Sequence, residues 1–331
     1  MTEESSRHEQ SRLFTDADGE FDEDRAKEDA LPVEDGEIIH VDELSDHQEY
    51  IEGRGIYDER NQVNDLTGRE WKFATKSVMP EQYPPDLQHE LRSKHGGQKP
   101  PRLCTELVQR FSKAGDTVLD PFAGVGGTLL GASLAAYEGT GLRDAIGFEI
   151  NDQWVDIYHE VLEKENSERQ SRGEGPLAEQ DMRRGDCIDL VDDLDTGEID
   201  FLLTDVPYWD MDKVEQTRNE NEARGSKLGD FDGEDFQTKS EWLDDMAEKF
   251  GNFRRVLKKD GYLAVFIGDM YRDQSYNMLS SELASRISDE GYTMKANLIW
   301  YDPSKDLHVY GYPFSFIPSM VHQNILIFRN E

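Results

Sequence analysis

Val118-Leu119-Asp120-Pro121-Phe122-Ala123-Gly124-Val125-Gly126-Gly127-Thr128 reads as the end of a buried strand, a glycine loop and the first turn of a helix. Gly124, Gly126 and Gly127 permit a tight turn and let a ligand approach the backbone closely. A dinucleotide-binding loop has the pattern Gly-x-Gly-x-x-Gly and sets a pyrophosphate over the helix N-terminus. Here an acid, Asp120, stands at the mouth of the loop and repels phosphate. The pattern therefore argues against a nicotinamide cofactor.

Outward from this loop, strand and helix patterns alternate. Strands are expected at Thr117–Leu119, Ala145–Glu149, Ile199–Thr204, Gly261–Gly268, Ala296–Trp300 and Asn324–Phe328, with Met182–Gly185 leading into Asp186. Helices are expected after Pro100-Pro101, over Gly127–Tyr137, from Gln153 to Glu165, over Trp242–Leu257 and over Met278–Glu290. The polar stretch Asn166–Gln180 reads as a loop. Repeated strand–helix–strand units predict an α/β fold with a mainly parallel sheet and helices on both faces. The last two strands have no helix between them, so the final one is expected to run antiparallel.

A second signature ends the apolar run Ile199-Asp200-Phe201-Leu202-Leu203-Thr204, namely Asp205-Val206-Pro207-Tyr208. The exocyclic nitrogen of a nucleobase donates its lone pair into the ring and is a poor nucleophile. Two acceptors on its hydrogens favour a pyramidal nitrogen with a lone pair that can attack. The Asp205 carboxylate and the Val206 carbonyl are such a pair. Pro207 restricts Val206 to extended geometry, and Tyr208 offers a ring on which a flipped base can stack.

The glycine loop and the tetrapeptide, in this order, resemble the S-adenosylmethionine-dependent DNA amino-methyltransferases, which modify adenine N6 or cytosine N4. Leu91–Pro101, Tyr312–Pro318 and His322–Arg329 resemble further elements of that family, so the similarity spans residues 60 to 331. It implies a Rossmann-like methyltransferase fold with a mainly parallel seven-stranded sheet and an antiparallel last strand. It also implies S-adenosyl-L-methionine as cofactor and DNA as partner. The resemblance assigns Asp205, Val206, Pro207 and Tyr208 to catalysis, and Asp120, Pro121, Phe122, Gly124, Gly126, Glu149, Asp186, Cys187 and Lys99 to the cofactor. Asp120 suits the cationic end of that cofactor, and Glu149 the ribose hydroxyls. Asp186 suits either the adenine or a helix cap. His95 reads first as polar loop surface, with a ligand role as the alternative. The family tetrapeptide has proline at both inner positions, whereas this chain has Val206 at the first. Valine keeps the carbonyl, so activity is expected to survive. Aspartate at position 205 favours adenine N6 over cytosine N4. A guanine-N2 methyltransferase of transfer RNA and a non-catalytic cofactor-binding module are the competing readings.

Residues 1–60 are acidic and read as a disordered tail, in which Ile38–Val41 has the pattern of a short strand; residues 61–331 read as the catalytic domain. Within it, residues 209–240 form a polar insertion that suits a target-recognition loop. Cys104 and Cys187 lack metal-ligand or disulfide spacing and read as packed residues of a reducing cytoplasm, and no metal site is expected. The opening Met1-Thr2-Glu3-Glu4-Ser5-Ser6 has no secretory pattern, and no apolar run is long enough to span a membrane. Nothing resembles a nuclease, so a restriction partner would be another chain.

The net charge of -35 runs against the basic footprint of a nucleic-acid enzyme. An acidic tail does not account for it. Residues 1–60 hold 21 acids against 6 bases, and the remainder still holds 50 against 30. A salt-rich cytoplasm does account for it, because the Debye length falls to roughly 3 Å at 1 M salt and screens repulsion from DNA. Circular dichroism and methyl transfer followed across a salt series are expected to show partial unfolding and low activity in dilute buffer, both recovering towards molar salt. A protein folded and most active near ~50 mM salt contradicts the halophilic reading.

Overall fold

The computed structural model describes residues 41–209 and 238–331, apart from residues 273 and 304. Residues 1–40, including most of the Ile38–Val41 pattern, and residues 210–237 of the insertion lie outside the described residues. The chain divides into two units, Met1–Gln62 with Leu66–Thr75, and Val63–Asp65 with Lys76–Glu331.

In the first unit β1 (Gln48–Ile51) pairs antiparallel with β2 (Gly55–Asp58), and α1 spans Gly68–Ala74. Thr67 and Glu70 close a reciprocal capping box at the start of α1, and the Arg54 guanidinium meets the Glu70 carboxylate through two bonds of 2.8 Å. The β1–β2 pair lies within the segment expected as a tail, and Leu66–Thr75 of the expected catalytic domain groups with it. These segments are ordered by polar caps and ion pairs rather than by periodic apolar residues, so hydrophobic patterning misses them.

The second unit carries an eight-stranded sheet in the order β3 (Val78–Met79), β11 (Thr293–Tyr301), β12 (His322–Arg329), β8 (Leu257–Ile267), β7 (Ile199–Asp205), β4 (Thr117–Asp120), β5 (Asp144–Glu149), β6 (Asp181–Arg184). The seven expected strands are joined at one edge by the two-residue β3. All neighbours pair parallel except β12, which runs antiparallel to both β8 and β11. This is the Rossmann-like methyltransferase arrangement expected from the sequence.

Side chains alternate between the two faces, as the pleat requires. Phe201, Leu203, Phe266, Ile325 and Ile327 pack in one core with α3 (Pro101–Phe111), α4 (Gly127–Leu134) and α5 (Asp152–Arg172). Leu202, Leu263, Val265, Leu326 and Phe328 pack in the other with α6 (Cys187–Val191), α7 (Lys239–Val256) and α8 (Leu279–Asp289). A short helix, α2 (His89–Arg92), precedes the loop to α3, and β9 (Met270–Arg272) and β10 (Ser275–Asn277) form a hairpin after β8.

The expected loop over Asn166–Gln180 is helical as far as Arg172. Leu162, Glu165 and Arg169 carry a buried stripe onward, Arg172 pairs with Glu165 and Glu168, and Gly173 closes the helix at φ +75°. Among the described residues no helix is long and apolar enough to cross a membrane.

Candidate functional site

Because β4, β5 and β7 are parallel neighbours, their last residues, Asp120, Glu149 and Asp205, arrive at one edge of the sheet. This is the edge at which open α/β sheets bind ligands.

Asp120 is a buried knot. Its Oδ1 accepts from the Phe122 amide at 3.1 Å and the Thr204 hydroxyl at 2.7 Å, and its Oδ2 accepts from the Thr128 hydroxyl at 2.6 Å. Burial pushes its carboxyl up to about 6 against the pull of these donors. Pro121 is buried behind it, and Phe122 sets its ring edge-on to Phe253. Beyond it the loop turns through Gly124 and Gly126, at φ +51° and +76°. A Cβ on Gly126 would lie 2.3 Å from the Tyr158 ring, and one on Gly124 would lie 3.1 Å from His95 Nε2. Neither position admits a larger residue without movement.

Glu149 closes the loop from the neighbouring strand. Its carboxylate accepts from the Gly124 amide at 2.9 Å and the Asn151 amide at 2.8 Å, and burial pushes it up to about 7. His95 lies against Gly124 and packs edge-on to Trp154, with ring centroids 5.0 Å apart. Burial and the Lys99 charge lower its pKa to about 4, so the ring is neutral. Its buried Nδ1 has no hydrogen-bond partner among the described residues.

Asp186 follows β6 and accepts from the Ile188 amide at 2.8 Å, capping α6. The cap reading is thus realised, while the side chain itself stays exposed. Cys187 does not offer its thiol to a ligand. It is the first residue of α6, buried in the second core, and burial pushes its thiol up to about 12.

Lys99, expected at the cofactor, forms an ion pair with Asp205 Oδ2 through its ammonium, which sits 5.3 Å from the Phe266 ring centroid. Its backbone carbonyl packs against the glycine loop at Gly127. Burial raises the Asp205 carboxyl and the Lys99 ammonium pulls it back. The other oxygen, Oδ1, is buried with no hydrogen-bond partner among the described residues.

The rest of the tetrapeptide is rigidly held. Val206 is buried, and the Pro207 carbonyl accepts from Trp242 Nε1 at 2.9 Å. The Tyr208 hydroxyl accepts from the Gly268 amide at 2.8 Å and from Gln323 Nε2 at 2.9 Å. The sequence reading missed Thr128, Thr204 and Gln323. All three lie inside or beside the recognised motifs, but their roles come from partners 8, 84 and 115 residues away. No cluster of metal-ligating residues occurs among the described residues.

A family model described as DNA methylase matches residues 23–160 and 199–330, and the chain belongs to that family. The type II methyltransferase M.SmaI of Serratia marcescens is 24% identical over 149 residues, covering 36% of this chain and 47% of the relative. The chain therefore spans about half the length of the curated relative it matches. Among solved structures, TrmN of Thermus thermophilus shares 12% identity with a TM-score of 0.41, covering 73% of this chain and 52% of its own. The putative DNA modification methylase TTHA0409, also of Thermus thermophilus and complexed with S-adenosyl-L-methionine, shares 17% identity with a TM-score of 0.30, covering 44% of this chain and 51% of its own.

Proposed function

We propose that this protein transfers a methyl group from S-adenosyl-L-methionine to an exocyclic amino nitrogen of a base in DNA, with adenine N6 favoured over cytosine N4. The observation that carries the reading is the buried, unpartnered Oδ1 of Asp205 beside the pinned Tyr208. A buried carboxylate oxygen without a donor is costly. An amino group entering beside Tyr208 removes that cost.

The residues at the sheet edge fit the cofactor. The Tyr158 ring and His95 pack beside Gly126 and Gly124, and Glu149 retains lone pairs beyond the two amides it accepts, enough for ribose hydroxyls. The Asp120 carboxylate is held by internal donors, so its contribution to a cationic ligand is through its field. When bound, S-adenosyl-L-methionine supplies an electrophilic methyl group on a sulfonium.

The chain's own residues prepare the amine. Asp205 Oδ1 accepts one N–H and the Val206 carbonyl the other, which turns the nitrogen lone pair out of conjugation. Burial raises the Asp205 carboxyl, and the paired Lys99 ammonium opposes that rise, favouring the ionised form that accepts. Tyr208, fixed through its hydroxyl, presents its ring for stacking on the flipped base. Aspartate at the head of the tetrapeptide supports adenine as that base.

Two variants separate binding from chemistry. Calorimetry with S-adenosyl-L-methionine is expected to show Glu149→Ala binding weaker by about 1–3 kcal/mol. In the parent, affinity should rise between pH 6 and 8 as the carboxyl, raised to about 7, ionises. Unchanged affinity in the variant rejects the ribose role. Asp205→Ala should bind the cofactor like the parent yet lose about 10²-fold or more of its methyl transfer to DNA. The assay is run on DNA, on transfer RNA and without substrate, with circular dichroism as a check on folding. Near-parental turnover of DNA by the Asp205 variant, or parental transfer to RNA alone, overturns the assignment.

A further inference from the structure

Between β11 and β12 the chain makes a hairpin-like excursion that the reaction described above does not use. It is built to hold its shape. Tyr310 bridges to Ile317, the Phe314 and Ser315 amides both donate to the Gly311 carbonyl at 2.8 Å, and Gly311 turns at φ +74°. Nearer the base, the Ser319 hydroxyl accepts from the His308 amide at 2.9 Å and donates to the His308 carbonyl at 3.2 Å. At its tip Tyr312 is 78% exposed, Phe314 94% and Phe316 93%. An ordered turn that displays aromatic rings to solvent marks an interaction surface.

Its place in the fold identifies the occupant. Both β8 and β11 run antiparallel to β12, so they are parallel to each other, and β8 is parallel to β7. The C-terminal end of β11 therefore lies at the same sheet edge as Asp205. The return strand brings Gln323 onto the Tyr208 hydroxyl only a few residues past the loop. Charge points the same way. Of the chain's 71 acids, none falls between Leu307 and Asn330. On a molecule of net charge -35, this stretch is free of the carboxylates that would repel phosphodiesters.

The geometry points to a stacking platform for DNA bases: Tyr312, Phe314 and Phe316 hold unstacked nucleotides flanking the base delivered to Tyr208. The inference rests on the proposed DNA reading of the site and deepens it. Stacking is tolerant of sequence and less weakened by salt than phosphate contacts are, which suits binding by an acidic protein.

The test uses binding, which does not depend on turnover. The probe is a single-stranded oligodeoxynucleotide of mixed sequence, titrated into the full chain and followed by fluorescence anisotropy. Phe314→Ala/Phe316→Ala is expected to raise Kd by about 10-fold or more, with cofactor affinity and circular dichroism unchanged. Phe316→Trp should retain binding, and its tryptophan emission should be quenched by the oligonucleotide. Unchanged Kd in the double variant, or absence of quenching, overturns the platform. So does a parent dimer that the double variant dissociates in sedimentation while its DNA affinity stays the same, because the rings then meet a second copy. A parent that binds the oligonucleotide, with Phe316→Trp quenched, but transfers no methyl group to DNA leaves the platform standing and removes the proposed activity. A parent that does neither removes both.

Discussion

The three hydrogen bonds onto the Asp120 carboxylate tie the two halves of this site together. Thr128 belongs to the first turn after the glycine loop, Phe122 to the loop itself, and Thr204 to the strand residue immediately before Asp205. One buried side chain thus sets both the glycine loop, proposed to receive the cofactor, and the strand that ends in the tetrapeptide proposed to hold the amine. Burial alone would drive this carboxyl protonated, and its donors counter that drive by favouring the ionised acceptor. Glu149 repeats the device one strand over, holding Gly124 while its own carboxyl is pushed up.

The tetrapeptide, proposed to be catalytic, is fixed from the other side. Trp242 on α7, Gly268 at the end of β8 and Gln323 on β12 converge on Pro207 and Tyr208. Lys99 arrives from the loop before α3 and meets Asp205 much as a substrate amine would, leaving the second oxygen without a donor. Among the described residues the walls of the site are tied by hydrogen bonds, and the Asp205 Oδ1 acceptor is unmet. Such preorganisation places the cost of positioning in folding and not in each turnover.

The strands of the sheet were legible because apolar residues along β7, β8 and β12 pack in two cores, a pattern that survives without knowledge of partners. The glycine loop was legible because Gly124 and Gly126 adopt backbone angles and clearances that few residues tolerate. What escaped the sequence reading depends on polar contacts. The β1–β2 hairpin and α1 are held by Thr67, Glu70 and Arg54, and the later turns of α5 by ion pairs and Gly173. Lys99 was assigned to the cofactor because Leu91–Pro101 resembles a cofactor-binding element of the family. The backbone does touch the glycine loop, but the ammonium reaches a carboxylate 106 residues away. Cys187 sits in the expected register yet points into the core, since the helix that Asp186 caps begins there.

Nucleoside analysis of DNA and transfer RNA from cells expressing the parent or Asp205→Asn tests the central claim most directly. The account predicts N6-methyladenine in DNA, confined to one sequence context, with the parent and its loss with the variant, whose amide offers Lys99 no charge and loses the ion pair that orients the accepting oxygen. N4-methylcytosine in its place would keep the mechanism and change the base. DNA free of both alongside N2-methylguanine in transfer RNA, or the same DNA modification with parent and variant, would contradict the account.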